Sequence, residues 1–323
     1  MKRRLVLVFL WLIAIDQAVP LLLEHLERRH YEGTRTFRFE NSDLFALGPL
    51  VQYLRDHPQH AHRRVVFFGD SMIFGYFLKP EEAVPAQLQK LQPDARVYNA
   101  AVNGQEIGTS YLVAKEIIDS VDVLYVEVVG GRANPLLPSL IPVDASDLRR
   151  FHLEEPNRVE TRLESWLGRV WHLYADNYRL QAALFGTSTR VFVYMHKKDA
   201  LNALRGFVAN ASSPEVWPAI QGQISVRAPR KPGQVLDRNE QQRIKNDLAM
   251  LARAHHKRVV FVEFEWTNNA TDGEDAAFNA AYAPYAETVI VHVPPSVTFD
   301  GQHLVPVSSA AVAAALAAHE EAR

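Results

Sequence analysis

An α/β fold, with a parallel sheet sandwiched between helices, is predicted by three features of this sequence. Short apolar runs, of which Val65-Val66-Phe67-Phe68 is the clearest, are rich in β-branched and aromatic residues, as strands buried on both faces are. Stretches of helical periodicity lie between these runs, and that alternation implies right-handed crossovers and a parallel sheet. With 323 residues and 48% hydrophobic content, the chain has enough apolar surface for a sizeable core. The expectation is a three-layer α/β/α domain with a five-stranded sheet in flavodoxin-like order.

The elements follow in order. Lys2-Arg3-Arg4 precedes an apolar stretch over residues 5–23, interrupted by Asp16-Gln17. Its length just reaches the roughly 20 residues that span a bilayer. An uncleaved anchor and a cleaved signal peptide both fit, and Val19-Pro20 after Ala18 is a poor cleavage context, which favours the anchor. The basic cluster then stays cytoplasmic, leaving the remainder extracytoplasmic, periplasmic or extracellular. Asp16 is costly in lipid, so it faces a membrane partner or sits near the interface. Residues 26–62 read as a tether, and the histidines at 57, 60 and 62 read as solvated linker rather than metal ligands. Strands are expected at 65–68, 96–99, 123–128, 258–264 and 288–293. Helices are expected at 85–91, 107–118, 237–256 (opened by the capping box Asp237-Arg-Asn-Glu240), 276–285 and 308–318. The domain covers 63–322. The long connection between the third and fourth strands exceeds ordinary loop lengths and marks an insertion at about 136–256. It carries the aromatic stretch Trp166-Leu-Gly-Arg-Val-Trp171-His-Leu-Tyr174 and is expected to pack near the site.

Composition narrows the function. A formal net charge of −2 lacks the basic excess of a nucleic-acid binder, and the absence of cysteine excludes disulfides and thiolate sites. Gly69 and Gly75 have neither the spacing nor the lysine of a phosphate loop, so no cofactor is expected. The chemistry concentrates where the first apolar run enters Gly69-Asp70-Ser71. Ser71 stands at a strand's carboxyl end, where open α/β sheets present their active groups. Near the other end of the chain, Asp300-Gly-Gln-His303 offers a base and an acid to orient it, the two groups a serine nucleophile needs.

These residues resemble the SGNH (GDSL-type) hydrolases. Gly69-Asp70-Ser71 with Gly75 is similar to the family's first block, and Asp300-x-x-His303 to its last. Asn99-Ala-Ala-Val-Asn-Gly104 matches the second block. The third, usually Gly-x-Asn-Asp, is replaced by Gly130-Gly-Arg132-Ala-Asn134-Pro135, which lacks the second acidic residue. The resemblance covers about residues 60–135 and 255–320. It implies Ser71 as nucleophile, His303 as general base and Asp300 as its orienting acid. It also implies oxyanion donors from the backbone of Ser71 and Gly104 and from Asn134, with Arg132 an alternative contact for an anionic substrate. The expected activity is that of a serine esterase or O-acyltransferase acting on acyl, chiefly acetyl, esters of a cell-surface carbohydrate. The layout of anchor and single domain resembles exported proteins that accompany membrane-bound O-acyltransferases, so such an enzyme is the expected partner besides the ester or glycan substrate. The competing expectation is an SGNH-fold assembly partner that has lost catalysis through its altered third block.

Overall fold

The computed structural model describes residues 2–33, 47–76, 78–101, 105–129, 166, 170–185, 238–264, 272–293, 298–299 and 303–322. Five parallel strands form the sheet: β1 (Arg63–Phe68), β2 (Ala95–Asn99), β3 (Val123–Glu127), β4 (Arg258–Phe264) and β5 (Ala286–Val291). Their spatial order is β2-β1-β3-β4-β5, the flavodoxin-like order the sequence predicts. Register is set by direct pairs such as Val65 with Val97 and Val123, and Val126 with Phe261.

Alternate residues of each strand feed two separate cores. Val66, Phe68, Leu124, Val126, Val259 and Phe261 enter one. That layer is covered by α2 (Leu47–Asp56), α5 (Ile107–Ile117), α8 (Arg238–Ala254) and α9 (Asp272–Tyr282). Val65, Phe67, Val123, Tyr125, Val260 and Val262 enter the other, under α3 (Ser71–Phe74), α4 (Val84–Leu91) and α10 (Pro306–Glu321). Both faces of the three central strands β1, β3 and β4 are buried, which explains why these read as apolar runs.

Three boundaries differ from the sequence expectation. Residues 47–56 are a core helix and no tether: Leu50, Val51, Tyr53 and Leu54 are buried against Tyr31 and the sheet. The insertion ends before Arg238, because α8 is the helix that delivers the chain to β4, with Ile244, Leu248 and Ala252 in the core. β5 starts two residues early, at Ala286, where Glu287 is held by Arg258 and His319.

The N-terminal helix α1 (Lys2–Gly33) is long and apolar enough to cross a membrane over Arg4–Arg29. Its first half exposes Leu5 to Ile13, whereas Val19, Leu23, Glu27 and Tyr31 are buried. Those buried residues face α6 (His172–Ala175), α7 (Asn177–Phe185) and α2. The described part of the insertion thus packs on the N-terminal helix, not beside the strand ends that carry Ser71.

Candidate active site

β1 ends at Phe68, and Gly69-Asp70-Ser71 turns directly into the single turn of α3. Asp70 is the N-cap, in extended conformation, and its Oδ1 accepts the Ser71 N–H at 2.6 Å. The helix stops at Gly75, whose φ of 78° is the left-handed conformation that glycine adopts without Cβ strain. The N–H groups of Gly75 and Tyr76 both donate to the Ser71 carbonyl, at 3.0 and 2.9 Å. Met72, Ile73 and Phe74 are buried beneath this turn, so Ser71 is fixed on a packed base with its own side chain half-buried. Asn99, at the end of β2, reinforces the turn by donating through Nδ2 to the Phe74 carbonyl at 3.4 Å. Its Oδ1 accepts the Ala101 N–H at 3.1 Å.

His303 arrives from the far end of the chain. An isolated antiparallel bridge joins Thr298 to Leu304, and the Phe299 N–H donates to the His303 carbonyl at 2.7 Å. Leu304 is anchored in the core, and α10 begins two residues on, with Ser308 Oγ accepting the Val305 N–H at 2.9 Å. His303 Nε2 is thereby brought to 3.0 Å from Ser71 Oγ, across 232 residues of sequence. For the imidazole to accept the hydroxyl proton there, its own proton must sit on Nδ1, the tautomer that a neighbouring acid stabilises. Tyr76 packs beside the ring, with centroids 5.5 Å apart.

Beneath Ser71 lies a group that the sequence analysis does not single out. Glu127, the last residue of β3, is 3% exposed. Its Oε2 accepts the Asp70 N–H at 2.8 Å and, at 3.4 Å, the Ile73 N–H. Oε1 is buried with no hydrogen-bond partner among the described residues. Burial, and next the carboxylate of Asp70, push Glu127 up to about 8, against the smaller opposing effect of the two N–H groups. At neutral pH Glu127 is therefore a neutral carboxylic acid supporting the turn. Gly69 is required by this packing: a Cβ there would stand 2.5 Å from Glu127 Oε2 and 2.7 Å from Glu127 Cβ. A lone acidic residue at the end of the apolar run Val123–Glu127 was the available signal for it.

Of the residues predicted for the site, the structure brings Ser71 and His303 together. Asp300, Gly104, Asn134 and Arg132 lie outside the described residues. The Ser71 N–H, expected as an oxyanion donor, is engaged by Asp70 Oδ1, because a capping carboxylate next in sequence reaches it at 2.6 Å. An oxyanion would have to compete for that hydrogen. The arrangement can hold a serine hydroxyl against an imidazole on a rigid strand end, the minimal requirement for nucleophilic acyl transfer. No protein-family model matches this chain, and it matches no curated protein.

Proposed function

We propose that this chain is an SGNH-type serine esterase or O-acyltransferase, held at a membrane by α1, that acts on acyl esters of a cell-surface carbohydrate. One observation carries the reading: Ser71 Oγ and His303 Nε2 stand 3.0 Å apart, from opposite ends of the domain. In the reaction, Ser71 Oγ attacks the ester carbonyl carbon while its proton passes to His303 Nε2. Collapse of the tetrahedral intermediate breaks the bond to the alcohol, which leaves with the proton from His303. Water or a sugar hydroxyl then attacks the acyl-enzyme, with His303 again taking the proton. The half-burial of Ser71 and His303 suits an ester that enters from the surface.

The burial of Asp16, whose carboxylate accepts the N–H groups of His172 and Leu173, supports retention of α1, since cleavage near residue 18 would remove it. Lys2, Arg3 and Arg4 ahead of the apolar run support a cytoplasmic N-terminus and an external domain.

A second reading is favoured by the Ser71 N–H already bound to Asp70 Oδ1. An oxyanion hole that stays closed would leave an SGNH-fold assembly partner of a membrane-bound O-acyltransferase without activity of its own. A fluorophosphonate probe separates the two. The enzyme reading expects covalent labelling and p-nitrophenyl acetate turnover, both abolished by Ser71→Ala and nearly so by His303→Ala, because members of such a pair act as a unit. Neither labelling nor turnover in the folded wild-type chain would establish the second reading.

A further inference from the structure

The burial of Asp16 within the apolar N-terminal helix requires an explanation. Asp16 is 6% exposed while the residues of α1 before it, Leu5 to Ile15, are open. Its Oδ1 accepts the Leu173 N–H at 2.8 Å and its Oδ2 the His172 N–H at 3.2 Å. These are N–H groups of the first turn of α6, which no carbonyl of that helix can satisfy. In water neither the carboxylate nor the two amides would need the other. In hydrocarbon each is prohibitive alone, and together they satisfy one another.

A second clamp lies further along. Arg179 of α7 grips the Glu27 carboxylate through Nε and Nη2, the latter at 2.8 Å, and also reaches Asp56 of α2 at 3.2 Å. Asp16 and Glu27 pair in the same order as Leu173 and Arg179, so α6 and α7 climb along α1 towards the folded domain. Trp166, Val170 and Trp171 precede the lower clamp, and they are 59%, 58% and 49% exposed. By the order of the two clamps, this end of the segment points towards the open apolar stretch of α1.

We propose that Trp166, Val170 and residues 171–175 form a second lipid-contacting element, docked on α1 through Asp16, with Trp166, Val170 and Trp171 against the hydrocarbon layer of the bilayer. The inference rests on α1 being a membrane anchor. Arg4 and Arg28 bracket Asp16 symmetrically, and at a rise of about 1.5 Å per residue it lies ~18 Å from each. That is inside a hydrocarbon layer about 30 Å thick. The domain is then held to the membrane at two points, which restricts its rotation about α1 and fixes the height of its strand ends above the surface.

The chain has no cysteine, so single labels can be placed without background. The full-length protein in phosphatidylcholine–phosphatidylglycerol nanodiscs would carry a nitroxide at Val170→Cys, at Ile13→Cys on the exposed face of α1, or at Val307→Cys on α10. Collision with oxygen, which enriches in lipid, is compared with collision with a water-soluble nickel chelate. The expected result is that position 170 follows position 13 in favouring oxygen, and that position 307 favours nickel. In an Asp16→Leu background, position 170 should move to the aqueous pattern. As a check free of labelling, brominated lipids should quench the fluorescence of Trp166 and Trp171 in a Trp11→Phe chain beyond what Trp217 and Trp266 allow in a Trp11→Phe/Trp166→Phe/Trp171→Phe chain. An aqueous pattern at 170 with a lipid pattern at 13 would overturn the proposal and leave the anchor intact. An aqueous pattern at 13 would remove the anchor and the proposal together. Shielding of 170 from both reagents would mean that a second protein copy covers it, and would also overturn the lipid assignment. An unchanged pattern at 170 in the Asp16→Leu chain would refute the clamp.

Discussion

Glu127→Gln is the substitution that most directly probes the support beneath Ser71. Glu127 is raised from 4.5 to about 8 in the folded chain by burial and by the charge of Asp70. Below pH 4.5 both folded and unfolded chains carry the proton, and Glu127 makes no pH-dependent contribution. Between 4.5 and 8 the unfolded chain has lost the proton and the native chain keeps it, so stability falls as pH rises, by about 1.36 kcal/mol per unit. Over the whole window of about 3.5 units the loss is on the order of 5 kcal/mol, after which it levels off. Glutamine cannot ionise, and its carbonyl can still accept the Asp70 N–H. Its amide would take the position of Oε1, which lacks a partner among the described residues. An unpaired buried donor costs about 1–3 kcal/mol, but that cost does not vary with pH. The variant should therefore gain on the wild type steadily from pH 5 to pH 8, whatever the offset at pH 5. Urea unfolding of both chains in the same detergent at unit pH intervals measures this gain. Parallel stability curves would refute the reasoning and mean that Glu127 is ionised in the native chain or exposed to water.

Gly69→Ala should destabilise by about 1–3 kcal/mol, the usual penalty of overpacking, and depress turnover, as the new Cβ forces Glu127 and the Ser71 turn apart; thermal melts and p-nitrophenyl acetate kinetics would show both. Asn134→Ala should lower kcat about 10²–10³-fold with little change in KM, the loss expected of one oxyanion donor. A larger kcat loss in Arg132→Ala would reassign that role. Hydrolysis of a simple acetyl ester should be slow, and a surface-glycan oligosaccharide should accelerate leaving-group release and yield an acylated sugar; fast hydrolysis indifferent to the sugar would identify a plain esterase.

The sheet was legible because its central strands are covered on both faces and so carry largely apolar runs, as in Arg258–Phe264, whose six buried residues are apolar except Glu263. β5 was placed two residues late because its first turn of sequence, Ala286-Glu287, gives a small and a charged residue where the pattern expects bulk. Glu287 is held there by Arg258 and His319, partners remote in sequence. α2 hid behind its polar neighbours, although Leu50, Val51, Tyr53 and Leu54 have helical spacing. The Ser71–His303 pair could be anticipated from two short motifs, since strand-end placement and the start of a helix are local properties. The capture of the Ser71 amide by Asp70 depends on one side-chain rotation and has no sequence signal. Nor could periodicity reveal that Asp16 caps α6, because the pairing joins residues 156 and 157 apart. It was legible only as an anomaly, a carboxylate where lipid should exclude one.

Gly69, Asp70 and Glu127 behave as one unit, and that unit constrains the charge under Ser71. Without a Cβ at 69, the Glu127 side chain reaches under the turn and holds the Asp70 N–H at 2.8 Å. Either protonation state can accept that bond through Oε2. Only the neutral state, however, avoids placing a second negative charge beside the Asp70 carboxylate, whose repulsion already helps raise Glu127. The acyl transfer proposed for Ser71 would create a negative oxygen on the substrate, and a charged Glu127 under the turn would oppose it at short range in a poorly screened environment. A glutamic acid that stays protonated until about pH 8 thus supports the Ser71 turn as a carboxylate would, without the electrostatic cost. The instability that Glu127 accumulates as pH rises and the hindrance it would present to an oxyanion have the same origin, a buried acid that the fold needs uncharged.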